Sequence, residues 1–171
     1  MNEIKNDIIN TDAKSIWKIL ESIPDPEVPV LSIIDLGIVR DVKINNGEAE
    51  IFITPTYSGC PAMDMIKMNI RMVLLENDFQ NIKITSILSP AWTTDWMTEN
   101  GKQKLKAFGI APPTIKQQVC HTELFHDGEA IQCPRCNSYH TKLISQFGST
   151  ACKALYVCED CKEPFDYFKC H

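Results

Sequence analysis

The chain has 171 residues, 44% of them hydrophobic, and a formal net charge of -5. That is enough for one ordinary domain with a core plus a small appendage, and it excludes a large multidomain protein. Residues 1–110 carry 11 basic and 15 acidic side chains and residues 111–171 carry 6 and 7, so neither part offers the basic face that a nucleic-acid backbone requires.

The chain opens without a cationic stretch and apolar run, and nowhere do 18 apolar residues stand together. A cytoplasmic protein with no membrane or nucleic-acid partner is expected. From Asp12 to Ser22 the apolar positions Ile16, Ile19, Leu20 and Ile23 recur at the helical period. Thr11 or Asp12 supplies the cap and Pro24 the stop. The following "PDPEVPV" holds three prolines, which remove backbone donors and bias their predecessors toward extended geometry, so it must be a loop. Two β-rich segments, 38–44 and 48–54, flank Asn45, Asn46 and Gly47, residues that tolerate the left-handed backbone of a tight hairpin turn. After Cys60 and Pro61 the residues Ile66, Ile70, Val73 and Leu74 share one helical face, predicting a second helix to about Asn77, with Pro61 at its first position. "NIKITSIL" reads as a third strand. Thr93 or Thr94 opens a third helix that Gly109 ends, with Gly101 weakening its middle.

This order predicts a compact α/β or α+β domain over residues 1–112, a small mixed sheet packed by about three helices. A linker follows at 113–129, with paired prolines and no sustained period. Residues 130–171 form a small β-rich domain holding six of the eight cysteines and the short pieces "TKLISQF", "KALYV" and "FDYF".

The strongest chemical signal is Cys133-x2-Cys136, 21 intervening residues, then Cys158-x2-Cys161. Two residues between cysteines let one tight turn aim both sulfurs at a single ion, and two such knuckles complete a tetrahedron. A structural zinc ribbon is the expected result, while spacing by itself also admits an iron-sulfur cluster or a rubredoxin-like iron. Cys152, Cys170 and His171 stand outside the knuckles and are expected to be packed or exposed rather than ligands, although Cys152 could sit near the metal through its hairpin.

Cys60 has two readings. At the start of a helix, unpaired backbone donors favour its thiolate and make it a soft-metal ligand; otherwise it is a small buried hydrophobe. The histidines (His121, His126, His140, His171) lie beyond residue 110 with no spacing that marks a catalytic dyad, so a hydrolase is disfavoured. Asp25 and Glu27 are either solvated turn residues or neighbours of a metal. Of Trp92 and Trp96, one is expected in the core.

"DPEVPVLSIIDLGIV" (25–39), "TPTYSGCPAM" (54–63) and "SPAWTTDWMTENGKQKLKAFGIAPP" (89–113) resemble the SUF-associated iron-sulfur assembly domain. "CPRCNS" and "FGSTACKALYVCEDCKEPFDYFKCH" are similar to the zinc ribbon that follows that domain in the PaaD family, small accessory proteins of the bacterial phenylacetyl-CoA ring-epoxidising oxygenase. The resemblance covers residues 12–171. It implies a protein of phenylacetate catabolism that is not itself catalytic. Such a protein assists assembly or delivery of an iron-sulfur or iron cofactor to the multicomponent epoxidase, or acts as an adaptor subunit of the complex. It further implies Cys60 as a transient iron or cluster ligand with Asp25 and Glu27 beside it, and Cys133, Cys136, Cys158 and Cys161 as zinc ligands. Its implied partners are the other oxygenase subunits, including the iron-sulfur reductase. Because one thiol cannot complete a four-cysteine cluster shell, a homodimer or a partner's ligand is expected at Cys60.

Overall fold

The structure is a computed structural model that describes residues 12–57, 59–113 and 131–169. All but the first residue of the expected linker, and with it Cys120, His121 and His126, lies outside the described residues, as do Cys170 and His171.

Helix α1 (Ala13–Leu20) starts at Asp12, whose carboxylate accepts the Ser15 N–H at 2.8 Å, satisfying one of the donors that a helix start leaves free. It buries Ile16 and Leu20. Strands β1 (Val39–Asn45) and β2 (Glu48–Ile53) pair antiparallel. The turn between them places Asn46 at φ 50° and Gly47 at φ 81°, the two left-handed residues that match the twist of a two-residue hairpin. Helix α2 (Ala62–Glu76) buries Ala62, Met63, Ile66, Ile70 and Leu74 along one face. It returns the chain to β3 (Asn81–Ser86), which pairs parallel to β2. The sheet is therefore mixed, in the order β1-β2-β3.

The third helix, α3, begins later than the expected Thr93 or Thr94 and spans Glu99–Phe108. Thr94–Trp96 form only a 3-10 turn, after which Met97 is extended at ψ 139° and buried. The cap is Thr98, whose hydroxyl accepts the Gly101 N–H at 2.9 Å. Gly101 is not a weak point but a close-packing position: a Cβ there would lie 2.9 Å from the Asp35 carbonyl oxygen. Asp35, buried in the loop before β1, accepts from the Ser32 N–H (3.1 Å), the Thr98 hydroxyl (3.0 Å) and the Lys104 ammonium (2.6 Å). Burial alone would raise its pKa, but Lys104 and these donors hold it below the ordinary carboxylate value. One carboxylate thus ties α3 to the loop that leads into the sheet. The αL residue Gly109 (φ 93°) ends the helix, as expected.

The β-rich part is a second sheet, β4 (Thr141–Ser145), β5 (Lys153–Cys158) and β6 (Pro164–Phe168), all antiparallel and in that order. Its own core is small: Ala111, Ile131, Ala154, Tyr156, Phe165 and Tyr167 gather around Cys133 and Cys158. The far end of this sheet enters the first core. The Ala111 N–H donates to the Asp166 carbonyl (2.8 Å) and the Phe168 N–H to the Ala111 carbonyl (2.9 Å), a parallel bridge between Ala111 and Tyr167. Phe168 and Cys152 are then buried in the core of the first domain, with Phe168 edge-on to Trp92 at 6.3 Å. Burial of a phenylalanine side chain stabilises such a joint by about 2–3 kcal/mol. Trp92 is the core tryptophan, its indole N–H donating to the Leu36 carbonyl at 2.8 Å. Trp96 is partly exposed beneath the Arg40 guanidinium, 3.5 Å from the ring centre.

Candidate functional site

Two groups of sulfurs stand at opposite ends of the β-rich sheet. At the first, the Sγ atoms of Cys133, Cys136, Cys158 and Cys161 all lie within 4.8 Å of one another. The two knuckles are built alike. The Asn137 N–H returns to the Cys133 carbonyl at 3.0 Å with Asn137 at φ 61°, and the corresponding residue after the second pair, Lys162, has φ 63°. Each chain reversal is left-handed one residue past its second cysteine, which turns both sulfurs inward. The β4–β5 pairing, with Thr141 opposite Cys158, brings the knuckles together.

The sulfurs fit a tetrahedral ion. Zinc-thiolate bonds of about 2.3 Å imply sulfur-sulfur edges of about 3.8 Å, and Cys133–Cys161 and Cys136–Cys158 are separated by 3.8 and 3.5 Å. The backbone N–H groups of Cys161 and Asp160 pull the Cys158 thiol down to about 7. Four cysteines of this kind support a bound metal and leave no open coordination position. His140, directly before β4, is engaged by Glu159 at 2.7 Å and Asp160 at 3.1 Å.

The second group lies where the loop 24–32, the start of α2 and the β4–β5 turn meet. Asp25 is buried, 6% exposed, and its carboxylate accepts the N–H groups of Glu27 (3.0 Å) and Val28 (2.8 Å). This corrects its reading as a solvated turn residue: the prolines stiffen the loop, and the carboxylate folds back to cap it. Burial raises the Asp25 pKa despite those two donors.

Cys60 is half-buried and packs against the first core. Its expected activation by the helix start does not win. The Ala62 N–H and the Thr56 hydroxyl favour the thiolate, but burial, followed by the negative charges of Glu27 and Asp25, pushes the thiol above its ordinary value. Pro61 contributes to this result, since the residue directly after Cys60 has no N–H to offer. Burial and these carboxylates thus favour the thiol over the thiolate at Cys60.

Cys152 is packed, as expected of a cysteine outside the knuckles. It does not approach the ribbon cysteines; it is buried beside Glu27, its Sγ 3.6 Å from Oε2, and 3.0 Å from the Thr150 hydroxyl. Burial, with Glu27 adding to it, pushes this thiol up to about 11. Tyr57 is an unforeseen member of this group. Its phenol interacts with Cys60 and feels Glu27 and Cys152, and burial with these groups raises it to about 12. The signal for Cys152 was present in its position, because six residues along a strand separate it from Cys158, which places it at the other end of the sheet.

Comparison with known proteins adds an independent line. Residues 117–169 match the PaaD zinc beta ribbon domain, and residues 13–78 match an iron-sulfur cluster assembly protein domain. A protein of Escherichia coli K12, provisionally named as a component of 1,2-phenylacetyl-CoA epoxidase, is 52% identical over 155 residues, 91% of each chain. The chain belongs to the PaaD family. This chain matches two units, and a match to its first part spans nearly the whole of shorter relatives. A Porphyromonas gingivalis protein named Fe-S protein maturation auxiliary factor is 31% identical over 104 residues, 60% of this chain and 97% of that one. The crystal structure of a domain of unknown function from Bacillus anthracis, DUF59, superposes with a TM-score of 0.51 at 30% identity, covering 54% of this chain and 89% of that one. Among the described residues no helix is long and apolar enough to cross a membrane.

Proposed function

We propose that the chain is a non-catalytic accessory protein of a phenylacetyl-CoA epoxidase that assists assembly or delivery of an iron or iron-sulfur cofactor to the oxygenase components, with Cys60 as the transient ligand. The observation that carries this reading is the place of Cys60: a half-buried thiol at the mouth of α2, beside the carboxylates of Asp25 and Glu27. Family membership and the likeness to maturation factors support the cofactor and the client. A thiol that must lose its proton to bind a cation holds that cation less firmly than a preformed thiolate, which suits a donor. The ribbon cysteines Cys133, Cys136, Cys158 and Cys161 hold zinc as a structural ion, and it supplies folding energy to a sheet whose own core is small.

Replacing Cys60 with Ser in cells that depend on the pathway tests the reading. Epoxidase activity and the iron content of the purified oxygenase components are expected to fall together, by about ten-fold or more, the range that follows weakened metal ligation. Unchanged activity and iron content with the Ser variant would end it.

A second reading, a structural adaptor of the same complex, is favoured by the exposed row Met65, Met68, Met72 and Leu75 on α2. Such adaptable apolar side chains suit a partner surface. It predicts co-purification with the oxygenase that survives Cys60→Ser without loss of iron.

A further inference from the structure

Helix α2 (Ala62–Glu76) is apolar on two faces. Ala62, Met63, Ile66, Ile70 and Leu74 enter the core. On the opposite side of a helix that turns once in about 3.6 residues stand Met65, Met68, Met72 and Leu75, between 43% and 50% exposed. A helix that served only its own core would carry polar residues there. The steps along this outer stripe are three, four and three residues, the a and d positions of two heptads, and that spacing suits another helix lying along it.

With Met65 and Met72 at a, Asp64 and Arg71 fall at g and Asn69 and Glu76 at e, the positions that flank a coiled-coil seam. In a parallel pair each g residue meets the e residue five positions further along the other helix, the separation of 71 and 76. Arg71 then faces Glu76 of a second copy, Glu76 faces that copy's Arg71, and Asp64 meets the Asn69 amide. In an antiparallel pair with the same four layers, Met65 against Leu75 and Met68 against Met72, g meets g and Arg71 meets Arg71. The stripe is self-complementary in one direction only. Among the described residues the ion pair of this helix is Lys67–Asp64, while Arg71 and Glu76 are exposed without one.

We infer that α2 pairs with α2 of a second copy, parallel and in register, so that Met65, Met68, Met72 and Leu75 of both chains close on a two-fold axis. Because the core lies on the other side of each helix, the two domains stand back to back. Each helix is already folded by its own domain, so pairing orders side chains and not backbone. The seam is short beside a standard interface, and the dimer is weak and concentration-dependent. Nothing in this pairing depends on the role of Cys60. It does bring both copies of Cys60, directly ahead of Pro61 and α2, to the same end of the seam, and it gives the row that an adaptor would show a client a different occupant.

The test uses the full zinc-loaded chain in reductant, followed by light scattering and sedimentation across the micromolar range. Wild type is expected to pass from monomer to dimer as concentration rises; a monomer throughout overturns the pairing and leaves the stripe to a client subunit. Arg71→Glu and Glu76→Arg, each of which turns both ion pairs into repulsions, are expected to weaken the dimer by about ten-fold, and the double exchange to restore it. Single exchanges without effect, or a double exchange that fails to restore the dimer, overturn the register. Leu75→Cys reads the direction: on mild oxidation the introduced thiols are expected to join each other across their shared layer, and a dimer whose peptide map lacks that link overturns the parallel arrangement. Arg71, Leu75 and Glu76 are exposed, so these variants keep the core intact. The cargo role of Cys60 is read separately, by the iron content of the oxygenase with Cys60→Ser.

Discussion

At one end of the β-rich sheet four sulfurs already stand at the spacing of a tetrahedral ion; at the other end the sulfur just before β5 meets a carboxylate of the loop 24–32. The quartet is local. Each knuckle is fixed by its own turn, with a left-handed residue after the second cysteine, and backbone donors pull Cys158 toward thiolate. Cys60 and Cys152 are placed by tertiary contacts, and burial, with the charge of Glu27 adding to it, pushes both thiols up. The same side chain, cysteine, is thus gathered for retention in one place by the geometry of two turns and shielded in the other by burial.

The sharpest break of this contrast is to remove the ribbon metal. A strong chelator, or Cys158→Ser, withdraws metal binding free energy of about 10–16 kcal/mol from a sheet with little core of its own. Loss of the near-ultraviolet signal of Tyr156 and Tyr167 is expected, together with alkylation of Cys152 at the rate of an exposed thiol. Retention of a folded sheet in the chelated chain would show that its seat on the first domain, through Phe168 and Ala111, suffices without the ion.

A smaller effect is expected at Asp25. Because burial raises its pKa, the fold favours the neutral carboxyl, and stability is lost as pH rises from the ordinary carboxylate value through the raised one. Asn keeps an oxygen for the Glu27 and Val28 N–H groups and carries no charge. Asp25→Asn should therefore melt about 2 °C higher than wild type at neutral pH, a gain of roughly 0.5–1 kcal/mol, and the difference should vanish in acid, where Asp25 is itself neutral.

The finest test compares the reactivity of the two free thiols in the folded chain. With Cys60 raised above its ordinary value of 9.0 and Cys152 pushed up to about 11, alkylation by iodoacetamide should still be climbing at alkaline pH for both, Cys60 reacting first because it is half-exposed. A Cys60 titration with its midpoint near neutrality would mean that the helix start dominates after all.

What could be read from the sequence follows the same division between local and tertiary causes. The hairpin at Asn46 and Gly47, the face of α2, the Gly109 stop and the Cys-x2-Cys pairs are local signals, each contained within a few residues, and the structure places them as expected. The start of α3 at Thr98 was missed because the threonines at 93 and 94 carry the same capping chemistry. The choice among them is made by Asp35, which binds the Thr98 hydroxyl from 63 residues away. Gly101 looked like a defect for the same reason: its use is visible only once the Asp35 carbonyl is known to lie against it. The ionisation of Cys60 was misjudged because the helix start is a sequence feature, whereas Glu27, Asp25 and the burial that outweigh it come from folding.

The hairpin tip offers a practical handle. Gly47 faces open space, with nothing within 4 Å of where a side chain would begin, and the six residues of β2 (Glu48–Ile53) that separate it from the Thr54 end of the strand span roughly 20 Å. A short cysteine-free affinity tag inserted beside Gly47 would tether the protein to a support by the end of β2 remote from Thr54 and the loop that leads to Cys60, leaving the exposed face of α2 free for capture of client subunits.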